Sequence, residues 1–162
     1  MKKYDFTGET LKWYGRTLSR IRALKDFGDV EAGDLGGWIE KEENLSHEGE
    51  AEVYGEAKVC GQAIVCDEAI VCDEAEVCGQ AEVCGNAVIK SMSDYITISP
   101  IGSRDDTTTA FRTADGVRVK CGCFYGSIEE FEKKVKKTHG DNQYGKEYLA
   151  FAELLKVRFG EK

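Results

Sequence analysis

The sequence predicts a mainly β fold in three parts: an N-terminal β cap over residues 1–37, a coil of very short strands over 38–90, and a C-terminal ββαα module over 91–162. Three observations predict it. A six-residue pattern repeats without interruption through the middle of the chain. The segment before it alternates like strands and is punctuated by glycine. The segment after it carries first an alternating pattern and then two helical ones.

The repeat is the strongest of the three. Val53, Val59, Val65, Val71, Val77, Val83 and Ile89 recur every six residues, and alanine stands two positions earlier each time, from Ala51 to Ala87. Side chains two apart on a strand share a face, so Ala and Val point inward together while their neighbours point out. Gly or Asp opens each unit, where a turn needs positive φ or side-chain bonding to the backbone. A six-residue period leaves no continuous stripe at 3.6 residues per turn, which excludes a helix.

Upstream, Leu11–Tyr14, a turn at Gly15 and Thr17–Phe27 read as a β-hairpin. Gly33, Gly36 and Gly37 suit a sharp entry into the repeat, with Trp38 expected to plug its first turn. Leu45 is expected in the alanine column. Downstream, Tyr95–Ser99 alternates as a strand that Pro100 should end. Thr107–Thr113 and Val117–Cys123 should pair across Ala114-Asp115-Gly116. Ser127-Ile128-Glu129-Glu130 is a capping box opening a helix to about Lys137. A last helix follows Gly140, with Tyr144, Tyr148, Phe151, Ala152, Leu155 and Phe159 on one face.

Charge is concentrated in the repeat. Residues 40–90 carry thirteen acids and three bases, whereas each flank is near neutral. Direct nucleic-acid binding by that surface is therefore not expected, because phosphate contact needs Lys and Arg. No run approaches the length of a membrane span, and the N-terminus lacks the apolar core of an export signal. The expected setting is cytoplasmic, where the seven cysteines stay reduced.

The segments Asp26–Val30, Gly36–Glu40 and Asn44–Ser46, followed by the hexapeptides, resemble uncharacterised hexapeptide-repeat proteins of bacterial genomes and prophages. Ile98–Asp106, Phe111–Thr113, Val119–Phe124 and Thr138–Asn142 resemble a module of similar phage proteins. The resemblance implies a short left-handed parallel β-helix of triangular section with 18 residues per turn. Outward columns would then stack Cys60 on Cys78, Cys66 on Cys84 and Tyr54 on Cys72. It further implies a non-enzymatic phage-type binding protein that inhibits a bacterial antiviral defence, anti-CRISPR-like or related.

Two mechanisms are open. One is docking on a host protein through an acidic face of Glu50, Glu56, Asp67, Glu68, Asp73 and Glu74, imitating a phosphate backbone. The other is sequestration of a nucleotide signal by Ser103, Arg104, Arg112 and Lys120. A homo-oligomer is expected, since outward Cys, Tyr54, Ile64 and Ile70 would leave an apolar wall. The alternative is a hexapeptide-family acyltransferase, but His47 and His139 do not suggest a base in a cleft. Cys121 and Cys123 with His139 would supply three ligands to zinc, one short of a structural site. No catalytic residue, metal or cofactor is assigned.

Overall fold

The structure is a computed structural model and describes residues 1–160. Strands β1 (Tyr4–Trp13) and β2 (Arg16–Ala23) form an antiparallel hairpin, and β3 (Leu35–Ile39) pairs antiparallel with β2. Seven two-residue strands follow: β4 (Glu52–Val53), β5 (Lys58–Val59), β6 (Ile64–Val65), β7 (Ile70–Val71), β8 (Glu76–Val77), β9 (Glu82–Val83) and β10 (Val88–Ile89). Then β11 (Tyr95–Ile101), β12 (Asp106–Thr113), β13 (Gly116–Cys121) and β14 (Phe124–Gly126) make an antiparallel meander. Helices α1 (Ile128–His139) and α2 (Gln143–Phe159) close the chain.

The strands form four sheets, ordered β1-β2-β3-β5-β8, β4-β7-β10, β6-β9 and β11-β12-β13-β14. This corrects the expected fold class. The chain is a small globular domain of mixed parallel and antiparallel sheets with a C-terminal two-helix module, not a left-handed parallel β-helix; it has no regular triangular coil of hexapeptides. Within the repeat the partners are parallel and 18 residues apart, as in Val53↔Val71 and Ile64↔Glu82. Each repeat strand is two residues long, however, and the three ladders differ in strand number. The largest continues into the antiparallel hairpin, so the long flanking strands shape the sheet as much as the repeat does.

The alanine and valine columns nevertheless do what alternation requires. Every one of them is buried, and with Tyr4, Ile21, Ile39, Leu45, Ile89, Tyr95 and Phe111 they form one continuous apolar cluster. A second cluster lies between the meander and the helices, joining Ile101, Ala110, Val117 and Val119 to Ile128, Phe131, Val135, Phe151, Ala152 and Leu155. The apolar stripe of α2 is thus spent on the sheet, except for Tyr144, which is exposed. Ser127 caps α1 by accepting from the Glu130 amide, the reciprocal box read in the sequence.

Several local expectations need correction. Trp38 does not plug the repeat: it pairs with Lys58, so alternation turns it outward against Leu18 and Cys60, and Ile39 fills the interior instead. Leu45 stands beside Val65, twenty residues away, so it joins the valine column. The 3-10 turn Glu42–Asn44 lies in this offset stretch. Strand β11 runs through Pro100 to Ile101, and the C-terminal module is ββββαα, not ββαα. Gly36 and Gly37 are demanded by close approach: a Cβ on either would lie under 3 Å from the Val53 or Ala57 carbonyl oxygen.

Both edges of the repeat are capped by side chains. At the leading edge the carbonyls lack a preceding turn. The buried Lys3 ammonium donates to the carbonyls of Gly49 and Ala51, and the Asn44 amide donates to those of Gly61 and Ala63. At the trailing edge the amides are open, and Cys78 N–H donates to the Tyr95 hydroxyl while Glu82 N–H donates to Thr109 Oγ1. Uncovered edges invite pairing with other chains, and these caps close them.

Asp67 and Asp73 open two of the turns at φ +59° and +58°, where the other units of the repeat use glycine. Asp67 also accepts from the Gly85 amide, at 2.9 Å. Asp73→Gly is therefore expected to be neutral or stabilising by up to about 1 kcal/mol, and Asp73→Val to cost about 1–2 kcal/mol. Urea unfolding of the two variants checks the order.

Candidate functional site

The site begins with two tight turns. The β11–β12 connection passes through Gly102, whose amide donates to Glu147 Oε1 on α2. No larger residue fits there, since a Cβ would meet the Tyr148 hydroxyl at 1.8 Å. The β13–β14 turn at Gly122 carries Cys121 and Cys123 on either side. Between these turns and the two helices lies a cavity of about 200 Å3.

Its lining combines rings with cations. Phe124, Phe131, Val135 and Tyr148 supply the apolar part, Arg104 and Lys134 two cations, Asp106 one carboxylate, and His139 an imidazole edge. Phe131 meets Tyr148 edge to face at 5.7 Å, and His139 stacks on Tyr148 at 5.6 Å. Burial, and next the charge of Cys121 beside it, push the Tyr148 hydroxyl up to about 12. Thr108 donates to Cys121 Sγ at 3.2 Å, fixing that thiol at the edge of the sheet.

The four basic and polar residues expected to share a pocket do not. Ser103 and Arg104 stand at the mouth of the cavity. Arg112 lies elsewhere on the module, over the Phe159 ring and 3.2 Å from Asp94. Lys120 pairs with Glu82 on the repeat and donates to the Gly122 carbonyl. Strand alternation explains the separation, because Arg112 falls on the same face as Ala110 while Lys120 takes the opposite face from Val119 and Cys121. Lys134 and the aromatic floor were missed in the sequence. The i, i+3, i+4 spacing of Phe131, Lys134 and Val135 on α1 was the available signal.

The acidic face also divides. Glu50, Asp67 and Glu68 lie together around Gly49, Gly85, Asn86 and Tyr125. Glu56, Asp73 and Glu74 lie at the entry to the β5–β8 ladder, where Glu56 accepts from Trp38 Nε1 and faces Arg20 at 4.0 Å. All six are exposed. Two of them, Asp67 and Asp73, are accounted for by turn geometry.

His47 is engaged through both ring nitrogens and is not a free base. His47 Nδ1 accepts from the Lys3 amide, Nε2 contacts Glu42 at 2.8 Å, and the ring stacks on Tyr4 at 4.3 Å. Cys121, Cys123 and His139 line one cavity, yet among the described residues no three His, Cys, Asp or Glu side chains gather as a metal site. All seven cysteines are free. Cys66 and Cys84 share a hydrogen bond that holds Cys66 low and Cys84 high.

No described helix is long and apolar enough to cross a membrane. The expected kinship with phage hexapeptide-repeat proteins is corrected by the architecture, whose mixed sheets and two-helix module are not those of a regular left-handed β-helix. No protein-family model matches the chain, and no curated protein matches it.

Proposed function

We propose that the chain is a binding protein without catalytic machinery, whose C-terminal cavity takes a small anionic ligand with an aromatic body, a nucleotide being the fitting class. The observation that carries this reading is the convergence of Arg104, Lys134 and His139 on a floor of Phe124, Phe131 and Tyr148, two cations against the single carboxylate of Asp106. Rings of that kind stack on a nucleobase, and the guanidinium and ammonium hold a phosphate at the mouth. If the ligand is a signalling nucleotide, sequestering it would inhibit an antiviral defence that depends on the signal. Docking through an acidic face is the weaker form of that inhibition, because the six carboxylates belong to two separate groups.

Calorimetric titration with mononucleotides and cyclic dinucleotides tests the reading. Arg104→Ala with Lys134→Ala is expected to weaken binding at least about tenfold, the loss of one or two charge-assisted bonds. Arg112→Ala and Lys120→Ala should leave it within about twofold. Binding by none of the nucleotides, or equal losses in all three variants, sinks the proposal. Turnover in a coenzyme A thiol-release assay would favour acyl transfer instead.

A further inference from the structure

Cysteine occupies one repeat position five times, at Cys60, Cys66, Cys72, Cys78 and Cys84. The 18-residue ladders sort these five into three unlike environments. Cys72 faces Tyr54, a phenol, across its ladder. Cys60 and Cys78 face each other under a cover of Leu11, Trp13, Leu18 and Trp38 from the hairpin and β3. Cys66 and Cys84 face each other on the β6–β9 ladder, which has no third repeat strand. The ladder continues through this last pair: the Cys66 amide donates to Val83 O and the Glu68 amide to Gly85 O, each at 3.0 Å.

In-register neighbours on adjacent parallel strands project side by side, about 4.8 Å apart. That geometry resists a disulfide, whose sulfurs must turn toward each other to about 2.05 Å. It suits an ion placed midway. Two metal–thiolate bonds of about 2.3 Å laid end to end span about 4.6 Å, close to the strand spacing. Thiolate softness then selects the cation. A tetrahedral ion such as zinc needs further ligands, and among the described residues no third His, Cys, Asp or Glu completes a set.

We propose that Cys66 and Cys84 form a two-coordinate thiolate site for a soft monovalent cation of the copper(I) class. Binding replaces two S–H bonds by two S–Cu bonds and releases two protons, leaving a bis-thiolate complex of net charge −1 with no change of oxidation state. The surroundings suit such a complex. Cys84 is buried and packs with Cys66 against the interior cluster. Cys66 is half-exposed and lines a surface hollow with Ser46, His47 and Ile64, which provides a way in. On the same face Lys120 pairs with Glu82 at 3.8 Å, so the cation offsets that carboxylate beside the two sulfurs. The site is separate from the C-terminal cavity and stands whether or not that cavity binds a nucleotide.

The test uses the reduced full-length protein under anaerobic conditions, with copper(I) competed against a chromogenic copper(I) chelator. One tightly held equivalent is expected, with an X-ray absorption edge and fine structure of two sulfur neighbours and no third ligand. Cys66→Ser should weaken retention at least about 100-fold, since removing a direct ligand exceeds the effect of its supports. Cys60→Ser with Cys78→Ser, and Cys121→Ser with Cys123→Ser, should leave it unchanged. Cys84→Ala serves as a second variant beside Cys66→Ser should that substitution disturb folding, which thermal unfolding reports. Retention by Cys66→Ser, loss on removing Cys121 and Cys123, or a three-sulfur shell would overturn the proposal.

Discussion

Replacing Asn44 with leucine is expected to destabilise the protein by about 3–5 kcal/mol, a large part of the total for a domain of this size. The side chain is fully buried and branches at Cγ as leucine does. Its amide donates to Gly61 O at 3.2 Å and Ala63 O at 2.8 Å, and its Oδ1 accepts from Lys41 N at 2.8 Å. Leucine leaves two edge carbonyls and one amide without partners, each costing about 1–3 kcal/mol where water does not reach. The neighbouring Glu43 is exposed, so Glu43→Gln should stay within about 0.5 kcal/mol. Urea unfolding at neutral pH with reductant present measures both. A loss under about 1 kcal/mol for Asn44→Leu would mean that the edge carbonyls find water and that capping does not hold the repeat.

The second large effect is alkaline. Burial pushes the Tyr95 and Tyr148 hydroxyls up to about 12, and Tyr4 moves the same way. A group whose folded pKa is raised contributes stability that is complete below its unfolded value and disappears as pH climbs through its folded value. For these tyrosines the window runs from about 10 to 12. For each of Tyr95 and Tyr148 that shift is on the order of 2–3 kcal/mol.

Two other groups titrate at somewhat lower pH and in opposite senses. The Cys60 thiol, raised by burial to about 11, loses its stabilisation between about 9 and 11. Lys3 acts in the opposite sense, because burial lowers its amine to about 8 and folding is favoured as pH rises from there toward 10.5. Stability should therefore rise slightly from about pH 8 to 9, where Lys3 acts first, and fall by several kcal/mol between about 10 and 12. Denaturant curves across that range, followed by phenolate absorbance, check it. The share of the phenolate absorbance that belongs to the buried Tyr4, Tyr95 and Tyr148 should rise together with loss of structure. Full ionisation of a still-folded protein would refute the burial argument.

The sequence by itself determined which residues are inside the repeat and which are turns. Valine and alanine spaced by two and recurring by six permit no other assignment, and each is buried in the folded chain. The Ser127 box and the Tyr148–Phe159 stripe were legible for the same reason, because capping and amphipathicity are local in the chain. The hairpin across Ala114–Gly116 was legible from its turn.

Tertiary structure decided the rest. A period cannot say how far its ladders extend or what joins them, so the antiparallel β1–β2–β3 sheet and the four-stranded meander changed the fold class. The candidate site was legible in part. Arg104 lines the cavity, but Lys134, Phe131 and Tyr148 come from α1 and α2, distant in sequence and joined only by packing. Arg112 and Lys120 looked equivalent as charges on neighbouring strands, and the alternation of strand faces separated them. The six acids looked like one surface because they share one repeat. Successive repeats belong to different ladders, and that geometry divided them.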